Sequence, residues 1–374
     1  MSDAGDLGTR AEAVKAGESK FWQQQLELAD KNHEEFLKQG REVVDRYKSD
    51  MRYGSPGSKS ANRRKKFNIL YSNVEVLKSA LFARMAKPDV RRRFSDQDPT
   101  GRVISELIER ALIYIDDVND TEGNIELAVG DYCLPGRGVV RVQYKPTMAT
   151  SEPPVDENGQ TVLDETGQPL PGTEYVAKQE LWDEYVQWDA YRHEPVPTWD
   201  KMTWEGYRHL MTLDDLLENF GDYLGDDEVK KIPLNWEPTL EGKNNKVPES
   251  FKKAETWEIW DKVTRTRVWV VKGYDKLCRK EKDPYGLEDF FPRPNPIQAT
   301  TTSDTVIPQA EYFTYKDQAD ALDELETRID RLTKALKRRG GYNSNIPELK
   351  KLANLDENHG GNRAQKQPPG SLAK

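Results

Sequence analysis

The apolar residues of this chain change period twice, and that change limits the folds open to it. Before Asp131 they recur at steps of three, four or seven, the spacing of one helix face. From Gly138 they tend to alternate, as in half-buried strands, and from Tyr315 the helical spacing returns. Helices, then a strand-rich middle rich in Trp at about 135–275, then one more long helix at about 311–339 predict a mixed α+β fold.

Residues 11–48 read as one helix, with Trp22, Leu26, Ala29, His33, Phe36 and Val43 on a shared face. A Gly/Ser/Pro linker follows at Gly54–Ser58. Leu70, Val74, Leu77, Leu81 and Met85 form the stripe of a second helix, which Pro88 should stop. Asp98-Pro99 opens a third, with Ile104, Leu107, Ile108, Ala111 and Ile115 expected on its buried side. A fourth helix at roughly 121–132 runs into Leu134-Pro135-Gly136-Arg137-Gly138, a turn before the strand Val139–Tyr144. Residues 147–173 read as an exposed, loosely hairpin-like excursion, and strands resume near Glu174–Asp189 and Thr203–Leu210. Thr212 should cap a helix closed by Gly221. Trp257 and Ile259 start a hairpin that turns at Thr264-Arg265-Thr266, and the prolines at 292, 294 and 296 keep Phe290–Gln298 extended. In the last helix Tyr315, Leu322, Leu325, Ile329, Leu332 and Leu336 occupy the a and d positions of a heptad, with Gln318 as a polar d. Charges fill most other positions, so this stripe cannot be buried by the helix alone. A two-stranded coiled coil and a helix packed between identical neighbours in a ring both suit it. The polar tail from Asn358 reads as disordered.

Charged residues make up 32% of the 374, more than one compact globule needs. The mean hydropathy is −0.88. Long exposed helices, or a place inside an assembly, account for that charge. Nine Trp, 16 Tyr and 10 Phe argue against disorder over most of the length. The net charge of −9 argues against tight DNA binding, which draws on cations at phosphates, though not against a surface that DNA slides past. Cys133 and Cys278 are too far apart for a metal or redox motif and read as free buried thiols. The N-terminal ten residues lack an apolar signal region, and no run approaches the ~18 apolar residues of a membrane span.

No catalytic constellation assembles from the residues. Pro56-Gly57-Ser58-Lys59-Ser60 lacks the first glycine of a phosphate loop, and Gly136-Arg137-Gly138 lacks the third of a dinucleotide loop. The four histidines are never three or four apart, and His33 sits on an apolar stripe, where core packing explains it. His193 and Glu194 are neighbours in a strand and point to opposite faces. Asp214-Asp215 and Asp226-Asp227-Glu228 are explained by helix capping more simply than by a cation. The expectation is therefore no enzyme, no metal and no cofactor. Among the basic clusters, Lys334, Lys337, Arg338 and Arg339 crowd the end of the last helix after an acidic first half of Asp320, Asp323, Glu324 and Glu326. They complement the helix dipole, or they form a basic collar facing nucleic acid.

Several stretches, taken in order over 62–345, resemble the portal proteins of short-tailed bacteriophages. Asn68–Leu77, on through Leu81-Phe82 to Lys87-Pro88-Asp89-Val90, is similar to the family's early helix. Asp131–Gly138 leading into Val139–Tyr144 is similar to its Asp-bearing helix, Gly-rich turn and wing strand. Trp188-Asp189 through His193-Glu194-Pro195, Trp199, Met202 and Trp204 to Phe220-Gly221 resembles its Trp-rich wing sheet and following helix, and Glu258–Lys262 its next hairpin. Phe290–Pro294, then Tyr315, Gln318-Ala319, Asp323-Glu324-Leu325 and Arg328-Ile329, resemble the approach to and body of its first stem helix.

The resemblance implies an N-terminal helix and linker at 1–60, a wing at 61–308, a stem helix at 309–340, and a partial clip with a tail at 341–374. It implies a homo-oligomeric ring, usually of twelve copies, at one vertex of the virion head, assembled in the host cytoplasm. Double-stranded DNA would pass through it without sequence readout. Its partners would be the terminase large subunit, the major capsid and scaffolding proteins, and then neck or tail adaptors, with no membrane. The heptad residues would then pack the stem, the four basic residues would face the channel, and Tyr342, Ile346 and Leu349 would belong to a clip that meets motor or neck. Family chains continue through a second stem helix, channel loop and crown, so the expectation is the N-terminal part of such a chain. A phage nucleic-acid-processing enzyme and a coiled-coil scaffold or adaptor are the alternatives.

Overall fold

A computed structural model describes residues 3–52, 68–84, 87–92, 99–151, 173–238, 248, 251–335, 342–343 and 366–367. The fold is α+β. Packing divides the chain into two compact units, one of residues 1–45 with 73–311 and one of 46–72 with 312–374.

In the first unit, helix α1 (Asp3–Arg52, which continues into the second unit) is interrupted at Gly17 and buries the stripe read from the sequence. Trp22, Leu26 and Ala29 pack against Trp204, Trp257, Ile259, Val268 and Val270. Those residues line one face of a five-stranded antiparallel sheet, order β3-β4-β5-β6-β7. Its strands are β3 (Tyr191–His193), β4 (Trp204–Met211), β5 (Ala254–Asp261), β6 (Thr266–Val271) and β7 (Arg279–Lys282). They follow helices α2 (Ile69–Leu81), α3 (Pro99–Asn119) and α4 (Thr121–Cys133) and the long hairpin β1 (Arg137–Thr150) and β2 (Glu174–Val186). The opposite face of the sheet is also covered, with Tyr207 and Trp260 packed with Val139, Met202, Phe290 and Phe291. Strand alternation leads one to expect one wet face, yet Glu205, Glu258, Trp260 and Asp261 are all buried beside the apolar positions.

Between β4 and β5, α5 (Leu213–Leu224) and α6 (Asp226–Val229) close one end of the core through Leu216, Phe220 and Val229. Thr212 and Asp215 form a reciprocal capping box, which accounts for Asp215, while Asp214 lies in the first turn, where the helix dipole favours a negative charge. The helix does not end at Gly221. It runs on to Gly225, whose φ of 83° is the left-handed value that lets a chain leave a helix. Short strands β8 (Ile297–Gln298), β9 (Thr300–Thr302) and β10 (Thr305–Gln309) follow. Phe290–Gln298 is not extended throughout. Phe290 has φ 69°, which turns its ring into the core against Trp260 at 5.4 Å.

Two helix expectations need correction. In α2 only Leu70 and Val74 of the stripe are buried, while Leu77 and Leu81 are exposed. The helix ends at Leu81, well before Pro88, because its last turn has little packing to hold it; Met85 lies outside the described residues. Helix α3 starts at Pro99 as read, but it buries no residue at all. Ile104, Leu107 and Ile108 are 46–58% exposed, since among the described residues α3 is tied to the unit near its C-terminal end, through Asn119.

The turn into β1 depends on a close approach. A Cβ on Gly138 would lie 2.1 Å from the Ala128 carbonyl oxygen of α4, which is backbone and cannot give way. Gly138→Ala should therefore cost about 3 kcal/mol, at the upper end for overpacking, read as a lower urea midpoint. A midpoint unchanged from the wild type would show that α4 and β1 separate freely.

In the second unit, Asn68 Oδ1 accepts from the Tyr71 amide at the start of α2, and Asn68 Nδ2 donates to the Tyr47 carbonyl at 3.0 Å. The unit also holds α7 (Tyr312–Ala335) and the pair β11 (Tyr342–Asn343) and β12 (Lys366–Gln367). Residues 336–341 of the expected helix, and the tail from Asn358 apart from β12, lie outside the described residues. Among the described residues no helix is long and apolar enough to cross a membrane.

Candidate functional site

Helix α7 carries most of the residues singled out from the sequence. Its 24 residues contain no Gly or Pro and are rich in Ala, Leu, Glu, Lys and Arg, all good helix formers. One face is anchored. Tyr312 and Ala319 are 3% and 1% exposed, and Arg46 Nη1 donates to Asp323 Oδ2 at 2.7 Å in a largely buried pair. Burial works against the Arg46 charge, but Asp323 outweighs it and the guanidinium pKa rises. Among the described residues the other face is left exposed. Leu322, Leu325, Ile329 and Leu332 are 41–57% exposed. Tyr315 lies apart from them, half-buried, with its ring edge-on to Tyr312 at 5.5 Å. Asp320 and Glu324 are exposed, and Glu326 is half-buried. Lys334 is in the helix, but its side chain is outside the described residues, as are Leu336, Lys337, Arg338, Arg339, Ile346 and Leu349. Tyr342 pairs with Lys366 in β11–β12.

The first unit holds buried charges that the sequence reading missed. Arg141 of β1 is 2% exposed and donates to Glu258 Oε2 on β5 at 2.7 Å. His209 Nε2 lies 2.9 Å from the same oxygen, and Arg267 and Trp260 Nε1 reach Oε1 at 3.4 and 3.0 Å. Arg141 also binds Glu184 of β2 at 2.8 Å. The cluster ties the β1–β2 hairpin to the five-stranded sheet. Burial would raise the Glu258 pKa, but Arg141, His209 and Arg267 drive it far below the carboxylate range. A carboxylate with both oxygens held this way stays ionised and is a poor proton acceptor. A second centre has Glu205 accepting from Tyr191, Tyr207 and Arg293 at 2.6–2.9 Å. The sequence signal for these clusters was an acidic residue directly after a Trp, Glu205 in β4 and Glu258 in β5.

A third cluster joins α1 to the sheet. Arg137 is wholly buried between the rings of Phe36 and Tyr191, 4.7 and 5.0 Å from their centroids. It bonds the Trp188 and Tyr191 carbonyls and His33 Nε2, and among the described residues no carboxylate bonds it. Burial pushes its pKa down to about 9. His33, a core histidine, is bound through Nδ1 to the Ala29 carbonyl and stacks edge-on with His193 at 4.6 Å. His193 and Glu194 do not act together, because Glu194 is held by Thr203. Burial, and the charges of Arg137 and Arg192, depress both histidine pKa values.

These shifts have a pH consequence. Below the unfolded-state value of about 6.5, the unfolded chain takes up protons that the buried histidines refuse, so stability falls as pH falls. Each histidine contributes up to about 1.4 kcal/mol per pH unit. Asp131 has the opposite sign. Burial raises it to about 7, although it accepts from the Tyr185 hydroxyl and the Trp188 amide, so its contribution is lost as pH rises from 3.8 towards 7. The two histidines together outweigh it, and urea midpoints should fall between pH 7.5 and 5.5. Asp131→Asn should steepen that fall. A midpoint flat with pH in both proteins would show that the histidines take up protons in the fold.

A groove of about 630 Å³ between α1 and β9–β10 is lined by Glu35, Phe36, Gln39, Pro195, Thr302 and Asp304 among others. Its lining includes no His, Cys, Lys or Arg. Cys133 and Cys278 are free, buried thiols raised to about 11 and about 12 by burial, which makes them poor nucleophiles. Among the described residues no three His, Cys, Asp or Glu gather as a metal set.

No protein-family model matches the chain, and no curated protein matches it either.

Proposed function

We propose that this chain is a portal subunit, a structural protein that forms a homo-oligomeric ring at one head vertex of a tailed bacteriophage and conducts double-stranded DNA. The observation that carries this is the split of α7 into an anchored face, through Tyr312, Ala319 and Asp323, and a bare heptad face, Leu322 to Leu332. A helix presented in this way serves contact between copies rather than chemistry. The ordered resemblance over 62–345 supports it. In this role the protein docks the packaging motor and later neck or tail proteins, and it has no reaction of its own.

Negative-stain microscopy of the purified chain tests this, with a ring around a central hole expected. A compact monomer would favour the enzyme alternative, and a rod a coiled-coil scaffold. Within a ring, Lys334, Lys337, Arg338 and Arg339 form a thin basic collar on a mostly acidic wall. A uniformly basic wall would hold DNA, because each phosphate contact steepens salt-dependent affinity. Changing all four to Gln in a full-length ring should alter DNA packaging or retention. If neither changes across a range of salt, these residues only terminate the helix or contact a subunit.

A further inference from the structure

Among the described residues two apolar surfaces of the first unit stay largely exposed, although α4 reaches the second at Asp183, opposite Val142, and the Tyr285 ring meets its Tyr144. The first is α3, where apolar positions from Val103 to Val118 sweep about half the helix circumference at 100° per residue. Val103, Ile104, Leu107, Ile108, Tyr114 and Val118 are 46–69% exposed. The second is one face of the β1–β2 hairpin. The register sets Tyr144 opposite Leu181 and Met148 opposite Val176, with Val142 on the same side. Val142, Met148, Val176 and Leu181 are 39–52% exposed.

The two surfaces match in size. From Val103 to Val118 the helix rises about 22 Å at 1.5 Å per residue. From Val142 to Met148 the strand covers about 20 Å at 3.3 Å per residue. Two strands about 4.8 Å apart make a platform roughly one helix wide. An arc of half the circumference suits such a platform better than the narrow seam of a coiled coil. The exposed apolar area of α3 is on the order of 600 Å², as large as the largest patch of a typical monomer and near the roughly 800 Å² each partner gives to a stable interface.

We propose that α3 of one copy lies across the Val142–Met148 and Val176–Leu181 face of the hairpin of a second copy. Its own hairpin is not the occupant in this structure. Asn119, at the end of α3, and Asn124 of α4 bond the Leu181 and Asp183 carbonyls at the β2 edge, and α3 leaves from there with no residue buried. The donor patch and the acceptor patch differ, so the contact is head-to-tail. Such a contact closes into a ring or runs on as a filament. The inference deepens the portal reading by naming the surfaces that meet, and rests on it only for closure.

The test places a photo-activated cross-linker at Leu107 in the full chain, mixes ¹⁵N-labelled with unlabelled protein, and maps products by mass spectrometry. The expected product joins Leu107 to 142–148 or 176–181 across the two isotope labels. Ile108→Asp should reduce its yield at least about tenfold, as for an interface hot spot. Ile108 is exposed, so that variant keeps the wild-type fold, checked by circular dichroism. Products within one chain, products joining α3 to α3, capture of the 152–172 segment, or no product would each overturn the proposal. Particle mass by mass photometry is read separately. Cross-linking between copies that build dimers or filaments would sustain this contact and defeat the portal ring.

Discussion

Ile329→Asp is expected to abolish assembly of the wild-type particle while leaving the chain's sheet unit folded. Ile329 is 57% exposed on α7, so in the separate chain an aspartate there meets water and costs little. Ile and Asp also differ little in helix propensity. Once a second copy covers the stripe, the same carboxylate is desolvated without a partner. That penalty is several kcal/mol at each contact, and about 3 kcal/mol already weakens association more than hundredfold. Sedimentation should show the mutant failing to build the wild-type particle at concentrations where the wild type assembles, with the α3–hairpin contact alone left to join copies. Circular dichroism and Trp fluorescence should be unchanged. Wild-type assembly by the mutant would show that the leucine stripe is not a contact between copies.

The second large effect is on stability. Glu258→Ala should lower the stability of the first unit by about 3–5 kcal/mol, because it leaves Arg141 charged and buried with the half-exposed Glu184 as the carboxylate left to it. A loss of that size lowers Tm by on the order of 10 °C in a domain of this class. The double variant Arg141→Met with Glu258→Leu should recover most of it, since removing both charges ends the desolvation cost. A Glu258→Ala loss under about 1 kcal/mol would mean that the pair behaves like a surface ion pair.

Most elements could be read from the chain because their signals are local. Thr212 and Asp215 form a capping box from side chains three residues apart. The stripe Trp22, Leu26, Ala29, His33, Phe36 and Val43 follows from helix geometry alone, and all six are buried. Gly138 marked a turn, although only the Ala128 carbonyl beside it explains why no side chain fits. Misses came where a local signal had two uses. Gly221 could stop a helix, but Gly225 holds the positive φ. Pro88 could stop α2, but lost packing stops it sooner.

The candidate site divides in the same way. Periodicity placed Leu322, Leu325, Ile329 and Leu332 on one face of α7, because side-chain direction in a helix depends only on spacing. It also placed Ile104, Leu107 and Ile108 on one face of α3 and read them as buried. Sharing a face and having a partner are separate facts, and the second depends on which other elements the chain brings near. Tertiary structure alone decided that, among the described residues, Trp22's stripe is covered and α3's is not. It also decided that β5 is buried on both faces, so Glu258 must meet Arg141, His209 and Arg267, residues from 9 to 117 positions away. Local sequence sets the direction of each side chain, and the fold sets what stands opposite it.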